Sequence, residues 1–162
     1  MKFIAATEND LLTIQRLAKE IWNEHYITII SQEQIDCMPA NRYSEAVLAE
    51  QMKNGQQFFL YINENNDAAG FLGIEQYPDK SFYLHKFYLN STTRGKGVGA
   101  AFFDYIIKKL NVEKLKLQVN RQNYKSINFY FKVGFVIERV ENFDIGGGYW
   151  MEDFVMQWQK PN

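Results

Sequence analysis

The chain has little cysteine and proline: Cys37 is its single cysteine, and there are only three prolines among 162 residues. One cysteine cannot form an internal disulfide, which excludes the disulfide-rich secreted domains and agrees with a reducing compartment. No histidine lies near Cys37 in the sequence, so a small, partly buried apolar residue is a better interpretation of it than a nucleophile.

Long hydrophobic runs and an excess of either charge are also absent. No apolar segment approaches the roughly 18 to 20 residues of a membrane-spanning helix, and Met1-Lys2-Phe3 leads into a strand-like segment instead of a signal peptide. Eighteen Lys and Arg against nineteen Asp and Glu give a net charge of −1, which provides no basic field for nucleic acid. We therefore expect a cytoplasmic protein that binds neither nucleic acid nor membranes.

Apolar residues, in contrast, are plentiful. They make up 46% of the chain and charged residues 23%, which is typical of one globular domain with a sizeable core. We predict a single domain over residues 1–162. Aromatic residues reach 16%, and most of them are expected to fill that core.

Hydrophobic periodicity in the first half of the chain predicts a short strand, helices and then a meander. A strand at Phe3–Ala6 precedes a helix with apolar residues at three-and-four spacing, a bent helical arm near Ser31, and a second helix over Ser44–Lys53. Three strand-like segments joined by short turns then predict an antiparallel meander that ends at Leu89.

The second half of the chain predicts helices that connect strands of the same sheet. A helix over Gly97–Leu110 leads to the strand Lys114–Val119, and a crossover of this kind makes that strand parallel to its predecessor. Asn123 is predicted to cap a helix that stops at Gly134, and two strands follow around Asp144–Gly148. The expected fold is α/β of the α+β type, with a mixed, mostly antiparallel, twisted sheet of about seven strands and about four helices.

Glycine and positive charge are concentrated between the meander and the next helix. Three glycines at alternate positions expose backbone N–H groups, and the helix N-terminus adds partial positive charge. Two full positive charges stand beside them, the combination that a diphosphate group requires. The segment therefore predicts a phosphorylated cofactor bound by Arg94, Gly95, Lys96, Gly97, Val98, Gly99 and Ala100.

Three known phosphate-binding motifs are alternative interpretations of this segment, and an ordinary glycine-rich turn is a fourth. A Walker loop is excluded because the Lys-Ser or Lys-Thr ending is missing. Gly-x-Gly-x-x-Ala, the dinucleotide fingerprint, matches Gly95, Gly97 and Ala100, but no acidic residue ends the following strand and the motif lies mid-chain. Arg-x-x-Gly-x-Gly, spelled Arg94, Gly97 and Gly99, resembles the pyrophosphate loop of the GNAT superfamily of acyl-CoA-dependent N-acetyltransferases.

A second motif supports this resemblance. The segment from Val119 to Phe135 is similar to the family's Val-Asn-x-x-Asn-x-x-Ala/Ser, followed by Tyr and then Gly-Phe. The predicted element order β, α, α, β, β, β, α, β, α, β, β is that of the GNAT fold and covers nearly the whole chain. The amino-terminal arm and Asp144–Met156 also resemble a branch that includes polyamine acetyltransferases.

The resemblance implies acetyl-CoA as cosubstrate, an amine as acceptor and no metal. It places the pantetheine-binding main chain at Phe87 and Leu89, and it places Asn120 and Asn123 on the CoA side. Tyr130 occupies the position of the family's proton-donating tyrosine, and its ordinary pKa of about 10 keeps it protonated at neutral pH. A core aromatic is the other interpretation of Tyr130.

The catalytic base has two interpretations. Many family members carry Glu where this chain has His85, a residue able to accept a proton at physiological pH or to serve as a buried scaffold residue. Alternation would put His85 on the same face as Tyr83, Phe87 and Leu89. Other residues that we considered for the amine pocket are Glu24, His25, Tyr149 and Trp150.

The sequence therefore predicts an N-acetyltransferase that moves an acetyl group from acetyl-CoA to a primary amine by direct attack on the thioester. The amine would belong to a small amine, a polyamine or a peptide. The alternatives are a non-catalytic acyl-CoA-binding regulatory module and a dinucleotide-binding oxidoreductase. A homodimer is among the assemblies expected.

Overall fold

One seven-stranded sheet forms the centre of the molecule. The computed structural model describes residues 1–26, 31, 33, 42–93 and 95–161. Most of the predicted helical arm, Cys37 and Arg94 lie outside these residues. The strands are β1 (Lys2–Ala5), β2 (Gln56–Ile62), β3 (Ala68–Gln76), β4 (Phe82–Leu89), β5 (Lys114–Asn120), β6 (Val136–Gly146) and β7 (Tyr149–Gln159).

The strand order is β1-β2-β3-β4-β5-β7-β6. β4 and β5 are parallel, and the other five neighbouring pairs are antiparallel. The parallel pair follows from the helical crossover between these two strands, as predicted. The mixed, mostly antiparallel sheet of the prediction is thereby confirmed.

Four helices are described: α1 (Leu11–Tyr26), α2 (Glu45–Lys53), α3 (Val98–Leu110) and α4 (Tyr124–Lys132). The predicted cap at Asn123 is present, since its side chain accepts a hydrogen bond from the Ser126 amide. Ser44 caps α2 in the same way by accepting from the Val47 amide. Gly97 is the residue before α3, so that helix begins one residue later than predicted.

The helices cover both faces of the sheet and produce two hydrophobic cores. α3 and α4 contribute Phe102, Ile106 and Ile127 to one core, which we call the α3–α4 face. α1 contributes Ile14 and Leu17 to the other, the α1–α2 face. The central strands between them therefore have two buried sides along part of their length.

β4 and β5 diverge after a short paired segment. Among the described residues their register covers three positions, from Phe82 opposite Leu115 to Leu84 opposite Leu117. Beyond these positions the carboxyl halves of the two strands are not paired with each other. A cleft therefore opens in the middle of the sheet, between residues 85–89 of β4 and residues 118–120 of β5.

β4 also contains a β-bulge. Gly73 of β3 is opposite Lys86 while Ile74 is opposite Leu84, so His85 is an extra residue in the strand. The bulge interrupts the alternation of faces. Phe87 packs with the α3–α4 core, whereas the His85 ring lies 4.8 Å from that of Tyr83. The predicted common face of His85, Phe87 and Leu89 is wrong because an inserted residue reverses the facing of all later side chains.

Candidate active site

A cavity of about 450 Å³ occupies the cleft between β4 and β5. Its wall on the α3–α4 face is formed mainly by α4 and the start of α3, and its other wall by polar and aromatic side chains on the α1–α2 face. The first wall includes Gly99, Asn123, Ser126, Phe129 and Tyr130, and the second includes Trp22, Tyr83, His85, Lys86, Tyr88 and Asp153.

The main chain of β4 is exposed to this cleft at alternate residues. The Asn90 amide donates to the Ala69 carbonyl at 3.0 Å, which fixes the alternation of hydrogen-bonded and non-hydrogen-bonded pairs between β3 and β4. By this alternation Tyr88 exchanges hydrogen bonds with β3, while the N–H and C=O groups of Phe87 and Leu89 face the cleft. An extended ligand would find strand-like partners there.

The glycine loop lies at the N-terminus of α3. Gly95 and Gly97 adopt left-handed conformations, with φ of 73° and 72°, and a Cβ at either would meet no atom within 4 Å. Their backbone is therefore open, next to the first α3 amides, which lack partners within the helix. Lys96 between them is exposed. These features fit a diphosphate group.

Gly99 has a different role from the other two glycines. A Cβ at Gly99 would lie 3.1 Å from the Phe129 ring, so its missing side chain lets the start of α3 approach α4 closely. Val98, next to it, is buried, and Ala100 is exposed. The loop is therefore open at Gly95–Gly97 and tightly packed at Val98 and Gly99.

The cavity is lined by Ser126 and Tyr130 on one face of α4 and by Asn123, the residue that caps this helix. Tyr130 is buried among Phe129 and Phe135, with ring centroids at 5.4 and 5.3 Å. Asn120, at the end of β5, also lines the cavity, and its Oδ1 accepts a hydrogen bond from the Gln122 amide. Tyr130 is thus both a packed aromatic and a cavity residue, as each interpretation of it required.

His85 is paired with Glu75, a residue that the sequence did not indicate. The imidazole Nε2 lies 2.8 Å from Glu75 Oε2, and both side chains are 29% exposed. Burial lowers the pKa of His85, an effect that the hydrogen bond to Glu75 opposes. A neutral imidazole whose Nε2–H donates to Glu75 carries its lone pair on Nδ1, which is the form of a base.

Asp153 of β7 is the buried carboxylic acid of the cavity. It is 7% exposed, and among the described residues its Oδ1 has no hydrogen-bond partner. Burial raises its pKa to about 6, although the positive charges of Arg42 and Arg121 oppose this rise. A carboxyl group with such surroundings in a cavity is typical of a ligand-binding or catalytic position.

Lys86 is the second buried ion. Its Nζ donates to Gln51 Oε1 at 2.8 Å and to Gln56 Oε1 at 2.9 Å, and it lies over the rings of Tyr43 and Phe58. Burial lowers its pKa to about 8, with a smaller contribution from Arg42. The polar contacts point its charge toward α2 and β2.

The remaining pocket residues considered from sequence are not brought together. Glu24 and Trp150 are exposed and do not line the cavity, while Tyr149 donates to Glu33 at 2.7 Å. The side chain of His25 lies outside the described residues. Asp153 had a signal in the sequence: it stands between Met151 and Val155 on alternating positions, and both are buried.

No group of three or more potential metal ligands occurs in the part of the chain that the structure describes. Within the same residues, no helix has both the length and the apolar character needed to cross a membrane.

Known proteins resemble this chain in both sequence and fold. Residues 27–147 match the family described as "Acetyltransferase (GNAT) domain". The spermidine N(1)-acetyltransferase of Thermoplasma acidophilum is 28% identical over 142 residues, which cover 83% of this chain and 88% of the relative. The PaiA N-acetyltransferase of the same organism, solved in complex with coenzyme A, superposes with a TM-score of 0.77 at 25% identity over 99% of this chain and 100% of that one.

A GCN5-related N-acetyltransferase structure from Rhodopseudomonas palustris is similar in fold, with a TM-score of 0.80 at 17% identity over 98% of this chain and 95% of that one. Both superpositions cover nearly the whole of this chain, so its fold is that of solved N-acetyltransferases. The chain therefore belongs to the GNAT family of acetyl-CoA-dependent N-acetyltransferases.

Proposed function

We propose that the chain transfers the acetyl group of acetyl-CoA to a primary amine of a small polyamine by direct attack on the thioester. The observation that carries this proposal is the composition of the cavity. One wall presents Gly99, the free main-chain groups of β4 and Tyr130, with the open backbone of Gly95–Gly97 in the preceding loop. The other wall presents His85 and Asp153, whose Oδ1 has no hydrogen-bond partner among the described residues.

The residues on the α3–α4 side would hold acetyl-CoA, which supplies the thioester carbonyl and a thiolate leaving group. The backbone at Gly95–Gly97, the first amides of α3 and the charge of Lys96 suit the diphosphate. The main chain of Phe87 and Leu89 suits the amides of the pantetheine arm. Asn123 lines the same side, whereas Asn120 lies opposite Asp153 in the register of β5 and β7, so its role toward acetyl-CoA stays a prediction. Arg94 also stays a prediction because it lies outside the described residues.

The amine must lose a proton to become a nucleophile. His85 is the proposed base, acting directly or through a water, with Glu75 holding its ring and fixing the proton on Nε2. The lowered pKa of His85 keeps most of the imidazole neutral at physiological pH, so the base is in its active form. Glu75 is a positioning residue in this scheme.

The departing thiolate must gain a proton, and Tyr130 is the proposed donor. Its hydroxyl is carried by the face of α4 that lines the cavity. A phenol is protonated at neutral pH, and its ordinary pKa is close enough to that of a thiol for it to protonate a thiolate. Packing against Phe129 and Phe135 restricts the ring, as a positioned acid requires.

Two observations support a polyamine acceptor over a neutral or anionic one. The cavity contains the buried acid Asp153, and proteins similar to this chain include a spermidine N(1)-acetyltransferase and a PaiA N-acetyltransferase. An ammonium-rich substrate would match that acid.

The test is turnover of acetyl-CoA by the purified chain over a panel of polyamines, amino acids and peptides, followed by release of free thiol. We expect the highest kcat/KM with polyamines. A preference for peptides or amino acids would contradict the acceptor class, and binding of CoA without any turnover would favour the acyl-CoA sensor. The cytoplasmic location, the single domain and the homodimer stay predictions.

A further inference from the structure

We propose that Asp153 selects the acceptor by binding a second ammonium group of a di- or polyamine, at a point separate from the amine that is acetylated. This inference rests on the proposed function and assigns the residue that would distinguish diamines from monoamines. Asp153 is a specificity-determining residue here and takes no part in proton transfer.

The position of Asp153 places it on the acceptor side of the cavity. It is opposite Asn120 in the register of β5 and β7, next to the end of the diverging strand. Its neighbour in sequence, Phe154, packs with the α3–α4 core, so the Asp153 side chain points to the α1–α2 face. Tyr130 lies on the opposite face of the sheet, and Asp153 therefore does not share the wall assigned to acetyl-CoA.

Among the described residues, two acids line the cavity, and they differ in what they contact. Asp144 is exposed, and its Oδ1 accepts a hydrogen bond from the Gly146 amide within the hairpin turn. Asp153 is 7% exposed, and its Oδ1 is buried without a hydrogen-bond partner among the described residues. Leaving a carboxylate oxygen desolvated and unpaired is costly, and a cationic ligand group would remove that cost.

The cations around Asp153 have other partners or are at the rim. Arg121 contacts Glu152 at 3.4 Å and Asn142 at 3.1 Å, and Arg42 is exposed. Lys86 is held by two glutamine oxygens toward α2 and β2. The positive charge of Lys86 disfavours a polycation in its part of the cavity. The charges of Arg42 and Arg121 act on Asp153 itself, so a ligand ammonium group would compete with these two side chains for the carboxylate.

Aromatic side chains complete the site. Trp22, Tyr83 and Phe143 line the same cavity. Such rings accept the methylene chain of an alkylamine and attract an ammonium group through their faces. Aromatic walls and a buried acid suit a flexible dication. An amino acid suits them less well, because its carboxylate would be repelled by that of Asp153.

Arg121 suggests an alternative, structural role for Asp153. Its Nε is also buried without a hydrogen-bond partner among the described residues, and its charge acts on Asp153. A small rearrangement would let the two side chains pair and make Asp153 part of the scaffold. The two roles differ in their consequences for substrate preference.

The experiment compares Asp153→Asn with wild type on 1,4-diaminobutane and butylamine, two substrates that differ by one amino group. We expect the ratio of their kcat/KM values to fall by about ten- to a hundredfold in the variant, through KM for the diamine, because a charge-assisted hydrogen bond is lost. Calorimetric titration of 1,4-diaminobutane into the CoA-saturated protein should show the same loss. Asp153→Glu, which keeps the charge, should restore part of the preference.

Glu152→Gln is the matched control. It removes a carboxylate from the adjacent position of β7, where the side chain is 60% exposed and does not line the cavity. We expect the wild-type ratio of the two substrates in this variant.

Three results would overturn the inference. A parallel loss with both amines would place Asp153 at the reacting nitrogen, an unchanged ratio would remove it from recognition, and failure of Asp153→Asn to fold would assign it to the scaffold. If wild type acetylates neither amine, the proposed function fails. If wild type acetylates the diamine and the ratio is unchanged in the variant, only the role of Asp153 fails.

Discussion

The phenolic hydroxyl of Tyr130 is the smallest feature on which the proposed chemistry depends. Tyr130→Phe removes that hydroxyl and keeps the ring packing against Phe129 and Phe135. Loss of a general acid should lower kcat by roughly 10²- to 10⁴-fold while the affinity for CoA changes little. Steady-state kinetics and a CoA titration measure the two quantities, and a variant with wild-type turnover would assign the proton to another group or to solvent.

The base function of His85 has a pH signature. Because burial lowers the pKa of His85 below its ordinary value of about 6.5, the acidic limb of the kcat/KM profile should lie below that value. His85→Gln should abolish the limb and lower the plateau. The profiles are compared on one amine, since deprotonation of the amine itself also raises the rate with pH.

The same variant separates the base from a scaffold residue. If wild type and His85→Gln show the same limb and similar plateaus, His85 is scaffold and a water chain takes the proton. Glu75→Gln is the companion variant, because it keeps a hydrogen-bond acceptor at the same position without the charge. If Glu75 only positions His85, Glu75→Gln should shift the acidic limb of the kcat/KM profile without abolishing it.

Asp153 links stability to pH. Its folded-state pKa of about 6 exceeds the ordinary 3.8, so the folded state holds the proton more tightly than the unfolded state. The free energy of unfolding therefore falls as pH rises from 3.8 to about 6. At higher pH Asp153 is ionised in both states, and the whole loss of stability persists. We expect Asp153→Asn to be more stable than wild type at pH 7.5 by about 1 to 2 kcal/mol, after partial solvent screening.

Urea unfolding at pH 4.0, 5.5 and 7.5 would measure this difference, which should shrink toward the lowest pH. The variant Glu152→Gln should show no comparable trend, since its side chain is largely exposed. A variant Asp153→Asn that is less stable than wild type at pH 7.5 would mean that the carboxylate has a stabilising partner in the folded protein.

At the scale of elements, the glycine loop offers a test of the diphosphate site. Gly97→Val would place a branched side chain over the open backbone before α3 and should weaken CoA binding at least about tenfold. Gly55→Val is the matched control, since Gly55 also has a positive φ, 103°, and a Cβ there would meet no atom within 4 Å. Calorimetric titration with CoA and thermal melting distinguish the two effects.

The two variants are expected to differ in one property only. Both should lose some stability, because a valine is strained at positive φ. Only Gly97→Val should lose CoA affinity. Equal affinities in both variants and wild type would exclude the loop backbone at Gly97 from the cofactor site.

The sequence predicted these elements well, because local spacing determines them. The cap at Asn123 and the crossover between β4 and β5 follow from patterns within a few turns of chain. The bulge at His85 could not be predicted, since it depends on the register with β3 and leaves no composition signal. Its partner Glu75 was missed for the same reason.

The buried ions depended on contacts still more distant in the chain. Lys86 is held by residues 30 and 35 positions away, and in the sequence it resembles any charged residue of an amphipathic strand. Asp153 meets the cavity only because β7 inserts between β5 and β6. Such placements are set by topology, so local sequence patterns did not reveal the buried acid and lysine of the cavity. The residues predicted for the cofactor lie within local motifs, and their role stays a prediction.

At the scale of the whole molecule, the sheet is held together by few hydrogen bonds between β4 and β5. β4 and β5 are paired at three positions, and beyond them the two parts of the sheet separate around the cavity. A ligand in this cleft would contact both parts and bind only the folded state. CoA at 100 times its Kd should therefore stabilise the protein by about 2.7 kcal/mol, or roughly 5 to 10 °C in Tm for a chain of this size.

The mode of binding should be visible in the amides of β4. Phe87 and Leu89 direct their N–H groups into the cleft, whereas Tyr88 between them donates to β3 and serves as an internal control. NMR-detected hydrogen exchange should show increased protection of Phe87 and Leu89 when CoA is added, while Tyr88 is protected in both states. A rise in Tm without new protection at these two amides would mean that CoA binds the protein but does not pair with β4, and the pantetheine arm would then require another path through the cleft.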